Sequence, residues 1–161
     1  MDPKLKAFLD TIAWSEGTST SPITKNNGYD VIVTGIHGPS VLTDYTYHPF
    51  EHGGSVTVRL RPLLVSTAAG RYQVLARYFE VYKAQLGLPD FSPASQDAVA
   101  IQQMKERRAV EMVEDSNISQ AINACSNIWA SFPGNDYKQG GKSFFDLRDR
   151  YKVFLNSQQG G

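Results

Sequence analysis

The residue whose type and spacing most clearly suggest chemistry is Glu16. The apolar residues before it recur at the spacing of one buried helical stripe: Leu5, Phe8, Leu9, Ile12 and Ala13. Glu16 lies in phase with this stripe, and Gly17, where a helix would end, follows directly. Because burial raises the pKa of a carboxyl, such an acid could keep its proton near neutral pH and donate it. The competing interpretation is a solvated glutamate at a helix end.

The composition is that of one globular domain and disfavours several classes of protein. With 161 residues the chain is long enough for a single compact core. Its 16 basic and 16 acidic residues balance, so nucleic acid is not expected as a partner. No apolar run is long enough to cross a bilayer, so stable membrane insertion is not expected. The first four residues lack the features of a signal peptide, which predicts a cytoplasmic protein.

The single cysteine, Cys125, is predicted to belong to the core. It allows no intramolecular disulfide, and it falls in phase with the apolar residues Ile118, Ala121, Ile122 and Ile128. A nucleophile would need a histidine beside it, and nothing in the sequence argues for one. Free cysteine is among the most buried residue types, which favours the core interpretation.

The elements that must position Glu16 are predicted to be mainly helical. Asp2 and Pro3 suit the N-cap and first position of a helix that runs to about Ser15. Short β-branched segments between turn residues predict strands near residues 29–34, 41–45 and 55–60. Further helices are expected from about residue 70 to 86, from 93, over 118–130 and over 143–156, with frayed residues after 157.

These patterns predict one α+β domain over residues 1–161, mainly helical, with a small antiparallel β region. The β region covers about residues 29–65 and the helical part about 70–157. We find no internal repeat and no low-complexity linker.

A second segment, residues 66–73, has the composition of a saccharide contact. Small residues there would let a polymer approach the backbone, while Ser66, Thr67 and Gln73 offer hydrogen bonds. Tyr72 offers an apolar plate of the kind on which sugar rings stack. Taken alone, the same residues would also suit a linker with a helix cap.

Together these segments resemble the phage lambda endolysin family, lytic transglycosylases with a lysozyme-like fold. The resemblance covers about residues 4–140, in order and with similar spacing. It includes Ala13-Trp14-Ser15-Glu16-Gly17-Thr18 and all of residues 66–73. The other matching segments are residues 6–9, 28–33, 43–45, 48–49, 85–88, 90–93, 95–100, 105–107, 125–131 and 133–134.

The resemblance implies a reaction on peptidoglycan glycan strands. Such enzymes cleave the β-1,4 bond between N-acetylmuramic acid and N-acetylglucosamine and leave 1,6-anhydromuramic acid ends. The family's single catalytic acid falls at Glu16. The likeness implies no metal, no organic cofactor and a monomer. It also implies that the enzyme waits in the host cytoplasm and acts in the periplasm after a holin has permeabilised the membrane.

A hydrolytic lysozyme remains the nearest alternative. Hydrolysis needs a second carboxylate, whereas attack by the sugar's own 6-hydroxyl does not. Asp30 and Asp44, each beside a tyrosine, are the candidates for that carboxylate, although a structural or sugar-binding role fits them better.

Further glycan contacts are expected from Tyr29 and Asp30 in the β region and from Trp129 and Tyr137. Trp129 continues the stripe of Cys125, so a core position competes with a place on the floor of a groove. The stretch from residue 35 to 64 is longer than in the family and predicts a longer lip over the groove. Family contacts there cannot be carried over.

Two other functions are weighed against this one. His48, Glu51 and His52 match the H-x-x-E-H pattern of zinc proteases, which would suit a cell-wall endopeptidase. That site needs a regular helix, and Pro49 with Gly53 and Gly54 disfavours one. The second alternative is a glycan-binding module without catalysis, against which the position of Glu16 argues.

Overall fold

The computed structural model describes residues 1–33, 35–60, 63–134 and 142–160. The elements within them, in chain order, are α1 (Pro3–Glu16), β1 (Val31–Ile32), β2 (Ser40–Val41), β3 (Val56–Leu60), β4 (Leu63–Ser66), α2 (Ala76–Leu86), α3 (Pro93–Glu106), α4 (Ala109–Glu114), α5 (Ile118–Ala124) and α6 (Phe144–Gln159). This mainly helical chain with small antiparallel sheets confirms the predicted α+β class. No helix in the described ranges is both long enough and apolar enough to cross a bilayer.

The chain forms two compact units. Unit 1 consists of Met1–Glu16 with Ala100–Gly161, and unit 2 consists of Gly17–Val99. The expected division into a β region and a helical part within one domain remains a prediction.

Unit 1 is built around α1. The Asp2 carboxylate accepts a hydrogen bond from the Lys4 backbone N–H at 2.7 Å, as the predicted N-cap requires. The predicted stripe of α1 is buried, and the ring of Phe8 meets the edges of Phe132 and Tyr151. Cys125 is fully buried, and burial raises the pKa of its thiol to about 12, so the core interpretation is confirmed.

Helix α6 begins with a capping box. The Ser143 hydroxyl accepts a hydrogen bond from the Asp146 backbone N–H at 3.1 Å, and the Asp146 carboxylate accepts one from the Ser143 N–H. Leu147 and Tyr151 of this helix are buried. The helix continues to Gln159, three residues beyond its predicted end at residue 156.

Unit 2 contains both sheets. In the first, β1 pairs with β2 (Val31 opposite Val41), and in the second, β3 forms an antiparallel hairpin with β4 (Val56 opposite Ser66). The first two strands are shorter than predicted, and β4 was not predicted. The core consists of Ile32, Ala69, Val74, Phe79, Phe91 and Val99.

Left-handed backbone conformations explain two errors in the predicted helices. Helix α2 begins at Ala76 rather than near residue 70, because Gly70 (φ +83°) and Gln73 (φ +51°) form a turn that a helix cannot contain. Arg108 (φ +58°) separates α3 from α4, which was not predicted. The helix expected over 118–130 ends at Ala124 and is followed by turns.

Candidate active site

Glu16 is the last residue of α1, and its carboxyl is enclosed by protein. The side chain keeps only a limited accessible surface. Burial raises the pKa of Glu16 from 4.5 to about 7, against the opposing effect of hydrogen bonds from the Ser131 hydroxyl and the Ser131 backbone N–H. The environment therefore favours a carboxylic acid that is protonated near neutrality over a solvated carboxylate.

Ser131 also has two other partners in unit 1. Its hydroxyl accepts a hydrogen bond from the Ser15 hydroxyl at 2.7 Å. Its carbonyl accepts one from the Lys142 backbone N–H at 2.9 Å. Ser131 is thus hydrogen-bonded to three residues, Ser15, Lys142 and Glu16.

Ser66 and Thr67 lie at the end of the β3–β4 hairpin in unit 2. Both side chains are half-buried. The Thr67 hydroxyl accepts a hydrogen bond from the Ala76 backbone N–H at 3.1 Å and so caps α2, and the Ser66 hydroxyl accepts one from Ala68 at 3.1 Å. The two residues line an open pocket of about 470 Å³, together with Val65, Leu75, Ala76, Arg77 and Glu80.

Gln73 holds the turn that precedes α2. Its amide nitrogen donates hydrogen bonds to the carbonyls of Val31 at 2.9 Å and Gly70 at 2.7 Å. Both amide hydrogens are therefore engaged within unit 2, although the side chain remains half-buried. Its side-chain oxygen accepts a hydrogen bond from the Val33 N–H at 3.4 Å, so a glycan contact from Gln73 would have to use the second lone pair of that oxygen.

Tyr72 is not available as a stacking plate, which corrects the expectation from the sequence. Only 4% of the residue is exposed. Its hydroxyl donates to the Asp97 carboxylate at 2.6 Å and accepts from the Arg71 guanidinium at 3.0 Å. Tyr29 donates to the same Asp97 oxygen at 2.9 Å, and the Arg71 guanidinium lies 5.1 Å from the Tyr29 ring centre. These four residues form an internal network, in which burial raises the pKa of Tyr29 to about 12.

Asp30 and Asp44 each stabilise a local turn. Asp30 is 4% exposed and accepts hydrogen bonds from the Thr24 hydroxyl at 2.5 Å and the Lys25 N–H at 2.9 Å. Asp44 is exposed, and hydrogen bonds from the Thr46 hydroxyl and N–H hold its pKa below the usual range. Asp30 is therefore too enclosed for a direct sugar contact, which corrects that expectation.

Trp129 belongs to the buried interior of unit 1. Trp129 is 2% exposed and packs on Phe132, with the ring centres 5.6 Å apart, so the core interpretation replaces the expected place on a groove floor. Tyr137 lies outside the described residues.

The H-x-x-E-H pattern does not form a metal centre. His48 is 1% exposed, its Nδ1 accepts from the Phe50 N–H at 3.1 Å, and its Nε2 hydrogen-bonds to the Val74 carbonyl at 2.8 Å. Burial lowers the pKa of His48, and the Nδ1 atom that accepts from Phe50 carries no proton. Glu51 instead forms an ion pair with Lys83 at 3.1 Å. In the described ranges no cluster of three or more metal-ligating side chains occurs.

Sequence reasoning did not single out Ser131 or Asp97. Both lie in segments that carry the family resemblance, but neither segment shows a local pattern that reveals its partner. The Ser15–Ser131 bond joins residues 116 positions apart. Only the folded chain brings these side chains together.

The fold and its enclosed carboxyl define the class of lysozyme-like proteins. A solved structure of bacteriophage lambda lysozyme complexed with a chitohexasaccharide matches with a TM-score of 0.86 and 49% identity, over 96% of this chain and 95% of that one. A second structure of lysozyme from bacteriophage lambda matches with a TM-score of 0.79 and 46% identity, over 98% and 94% of the two chains.

Sequence comparisons identify the family. A family model described as Endolysin matches residues 6–157. The endolysin of Escherichia phage lambda is 56% identical over 135 residues (83% of this chain and 80% of that protein), and the endolysin of Escherichia phage P2 is 53% identical over 136 residues (84% and 82%). The chain belongs to the endolysin family, phage enzymes with a lysozyme-like fold that cleave peptidoglycan for host lysis.

Proposed function

We propose that this endolysin is a lytic transglycosylase. It cleaves the β-1,4 bond between N-acetylmuramic acid and N-acetylglucosamine, with Glu16 as the acid and then the base. The observation that carries this proposal is the enclosed Glu16 carboxyl, whose pKa is raised to about 7. A group with a pKa near the working pH can both release and recover a proton efficiently.

The reaction uses one carboxyl in two steps. Protonated Glu16 donates its proton to the glycosidic oxygen, and the bond from that oxygen to the muramoyl anomeric carbon breaks. The Glu16 carboxylate then removes the proton of the muramoyl 6-hydroxyl, whose oxygen bonds to the anomeric carbon and closes the 1,6-anhydro ring. Glu16 is protonated again at the end, and no water is consumed.

The state of the two carboxylates that the sequence offered as partners supports the transglycosylase over the hydrolase. A hydrolytic enzyme needs a second carboxylate, as nucleophile or as base for water. Asp30 and Asp44, the candidates from the sequence, both accept hydrogen bonds from their own turns. An intramolecular hydroxyl needs no such residue, because its effective concentration is very high.

Glycan strands are the proposed substrate. The solved lambda lysozyme is complexed with a chitohexasaccharide, an oligosaccharide of β-1,4-linked N-acetylglucosamine. In this chain we propose Ser66 and Thr67 as contacts, since both are half-buried and line an open pocket. Tyr29, which is also half-buried, and Gln73 through its carbonyl oxygen are secondary candidates.

Family membership also supports a proposal about where the enzyme acts and which protein it depends on. We propose that the enzyme accumulates in the host cytoplasm and reaches the periplasmic face of the wall after a holin permeabilises the inner membrane.

The Glu16→Gln variant tests the chemistry. Glutamine keeps the shape of the side chain and removes the transferable proton, so we expect a folded protein with at least about a thousandfold lower activity. The measurement is release of soluble muropeptides from purified peptidoglycan, with mass spectrometry of the products. Anhydro ends, one water lighter than hydrolysis products, are expected from the unmodified enzyme.

Two controls sharpen this test. The Glu111→Gln variant changes an exposed glutamate of α4 and should retain full activity. Chelation with EDTA should leave the unmodified enzyme active. Loss of activity with EDTA together with an active Glu16→Gln variant would contradict the proposal, and reducing-end products without anhydro ends would show a hydrolase.

A further inference from the structure

Two serines form a connected hydrogen-bond path to the Glu16 carboxyl. The Ser15 hydroxyl donates to the Ser131 hydroxyl at 2.7 Å, and the hydroxyl and backbone N–H of Ser131 both hydrogen-bond to Glu16. Ser15 is only 5% exposed, so water has little access to its side chain. The path lies entirely within unit 1.

Each serine hydroxyl has one proton to donate, and this fixes the direction of the hydrogen bonds from Ser15 to Ser131 and from Ser131 to Glu16. A serine hydroxyl carries one proton and two acceptor lone pairs. Because Ser15 gives its proton to Ser131, the single proton of Ser131 remains available for Glu16. The Ser131 N–H, which can only donate, supplies a second bond to the same carboxyl.

The hydroxyl of Ser15 has a partner outside its own helix. Serine and threonine hydroxyls in helices often donate to the carbonyl four residues earlier. Thr11, one turn before, does so, with its hydroxyl 2.7 Å from the Ala7 carbonyl. Ser15 instead donates its hydroxyl proton to Ser131 of another segment.

We propose that Ser15 and Ser131 are positioning residues for the proton transfers of Glu16. Ser15 fixes the hydroxyl of Ser131, and Ser131 holds the carboxyl in one orientation and stabilises the carboxylate that remains after the proton has been donated. The inference rests on the proposed role of Glu16 as the acid. Hydrogen bonds from donors favour the charged form of a carboxyl, so this pair opposes the effect of burial and keeps Glu16 able to act as an acid near neutrality.

Charged groups on the surrounding elements have other partners. Asp10 of α1 accepts from Lys6 at 3.1 Å and from Gln158 at 3.2 Å. The cations of Lys142 and Arg150 lie 5.3 Å and 4.8 Å from the ring centre of Trp14. Of the other described charges on α4 and α6, Arg148 lies with its guanidinium 5.4 Å from the ring centre of Phe145, and five are exposed: Glu111, Glu114, Asp146, Asp149 and Lys152. In the described part of the chain, the polar contacts identified at Glu16 are therefore the hydroxyl and the backbone N–H of Ser131, and Ser15 acts on Glu16 only through its bond to Ser131.

The pH dependence of kcat/KM tests the proposal. The Ser131 hydroxyl lowers the pKa of Glu16, so its removal lets burial raise that pKa further. We therefore expect Ser131→Ala to move the alkaline limb of the profile to higher pH by about one unit. Ser15→Ala, which only frees the Ser131 hydroxyl to rotate, should give a smaller shift in the same direction. Ser131→Thr keeps a hydroxyl and should restore the position of the limb.

A matched control and a direct titration make the outcome decisive. Ser126→Ala removes another buried serine hydroxyl of unit 1 and should leave the limb where it is. The carboxyl carbon of Glu16, assigned by its loss in Glu16→Gln, is titrated by ¹³C NMR in each variant. An unchanged midpoint in folded Ser131→Ala would overturn the proposal, and so would an unchanged midpoint in Ser15→Ala if Ser131→Ala does not fold.

The titration also separates this proposal from the proposed function. If Glu16→Gln remains active while Ser131→Ala still shifts the Glu16 midpoint, the catalytic assignment fails, whereas the effect of the serines on the carboxyl stands. A shifted midpoint with the matching shift in kcat/KM supports both.

Discussion

At the residue scale, Glu16 combines a functional gain with a cost in stability. Its carboxyl is enclosed at the end of the buried stripe of α1, so the charged form is poorly solvated. A proton that is retained near neutrality serves acid catalysis. The same burial lowers the stability of the folded state once the pH exceeds the ordinary pKa of a glutamate, because the unfolded chain ionises there and the folded protein does not.

The sign of this effect predicts how stability depends on pH. The pKa of Glu16 is about 7 in the folded protein against an ordinary 4.5. Between these values the folded state holds a proton that the unfolded chain has lost, so the free energy of unfolding falls as pH rises through this window and is then constant. The shift corresponds to at most about 3 kcal/mol.

We therefore expect Glu16→Gln to be more stable than the unmodified protein at pH 8 by up to about 3 kcal/mol, with a much smaller difference at pH 4.5. Urea unfolding at the two pH values measures this difference. The exposed control Glu111→Gln should show a difference that barely changes with pH. A Glu16→Gln gain that is equal at both pH values would contradict the effect of burial.

At the element scale, the turn over residues 70–74 determines where α2 begins, and the side chain of Gln96 packs against this turn. Gly70 has φ +83°, and Gln96 fills the space beside it. The Gln96 side chain accepts a hydrogen bond from the Arg71 N–H at 2.9 Å and donates to the carbonyls of Tyr29 at 3.1 Å and Phe91 at 2.9 Å. This side chain thus connects the turn to two other segments of unit 2.

Gly70→Ala tests the packing of this turn. An added Cβ would lie 2.4 Å from the Gln96 side-chain oxygen and 2.8 Å from the ring of Phe91. Gly87→Ala is the matched control, because Gly87 also has a positive φ (+64°) but nothing within 4 Å of the added carbon. We expect Gly70→Ala to lower the free energy of unfolding by about 1–3 kcal/mol more than Gly87→Ala. Equal losses in denaturant unfolding would show that only backbone strain matters.

At the scale of the whole molecule, the proposed function requires a second protein. The proposed substrate lies beyond the inner membrane of the host, and the proposed holin provides the route to it. The enzyme and the membrane lesion are then both required for lysis.

Expression in bacteria tests this dependence. Cytoplasmic expression alone should leave the optical density of the culture stable, and co-expression with a pore former should cause rapid lysis. Glu16→Gln with the same pore former should permeabilise cells without degrading their walls. Lysis by the unmodified enzyme without a pore former would contradict the proposed route.

The sequence by itself determined the features that depend on neighbouring residues. The buried stripe of α1, the N-cap at Asp2 and the core position of Cys125 follow from local spacing and residue type, and all three are confirmed. The phase of Glu16 within that stripe also indicated an enclosed carboxyl with a raised pKa.

The tertiary structure decided the features that depend on distant contacts. The same sequence pattern suits an exposed or a buried tyrosine, and only the approach of Asp97 and Arg71 shows that Tyr72 is internal. Likewise, the spacing of His48 and Glu51 in the sequence suits a metal site. In the structure one ring nitrogen of His48 is instead hydrogen-bonded to the Val74 carbonyl. Ser131 reaches Glu16 only because the two segments of unit 1 fold together. Local periodicity specifies helices and buried faces, whereas the partners of polar side chains are fixed by packing between residues far apart in the chain.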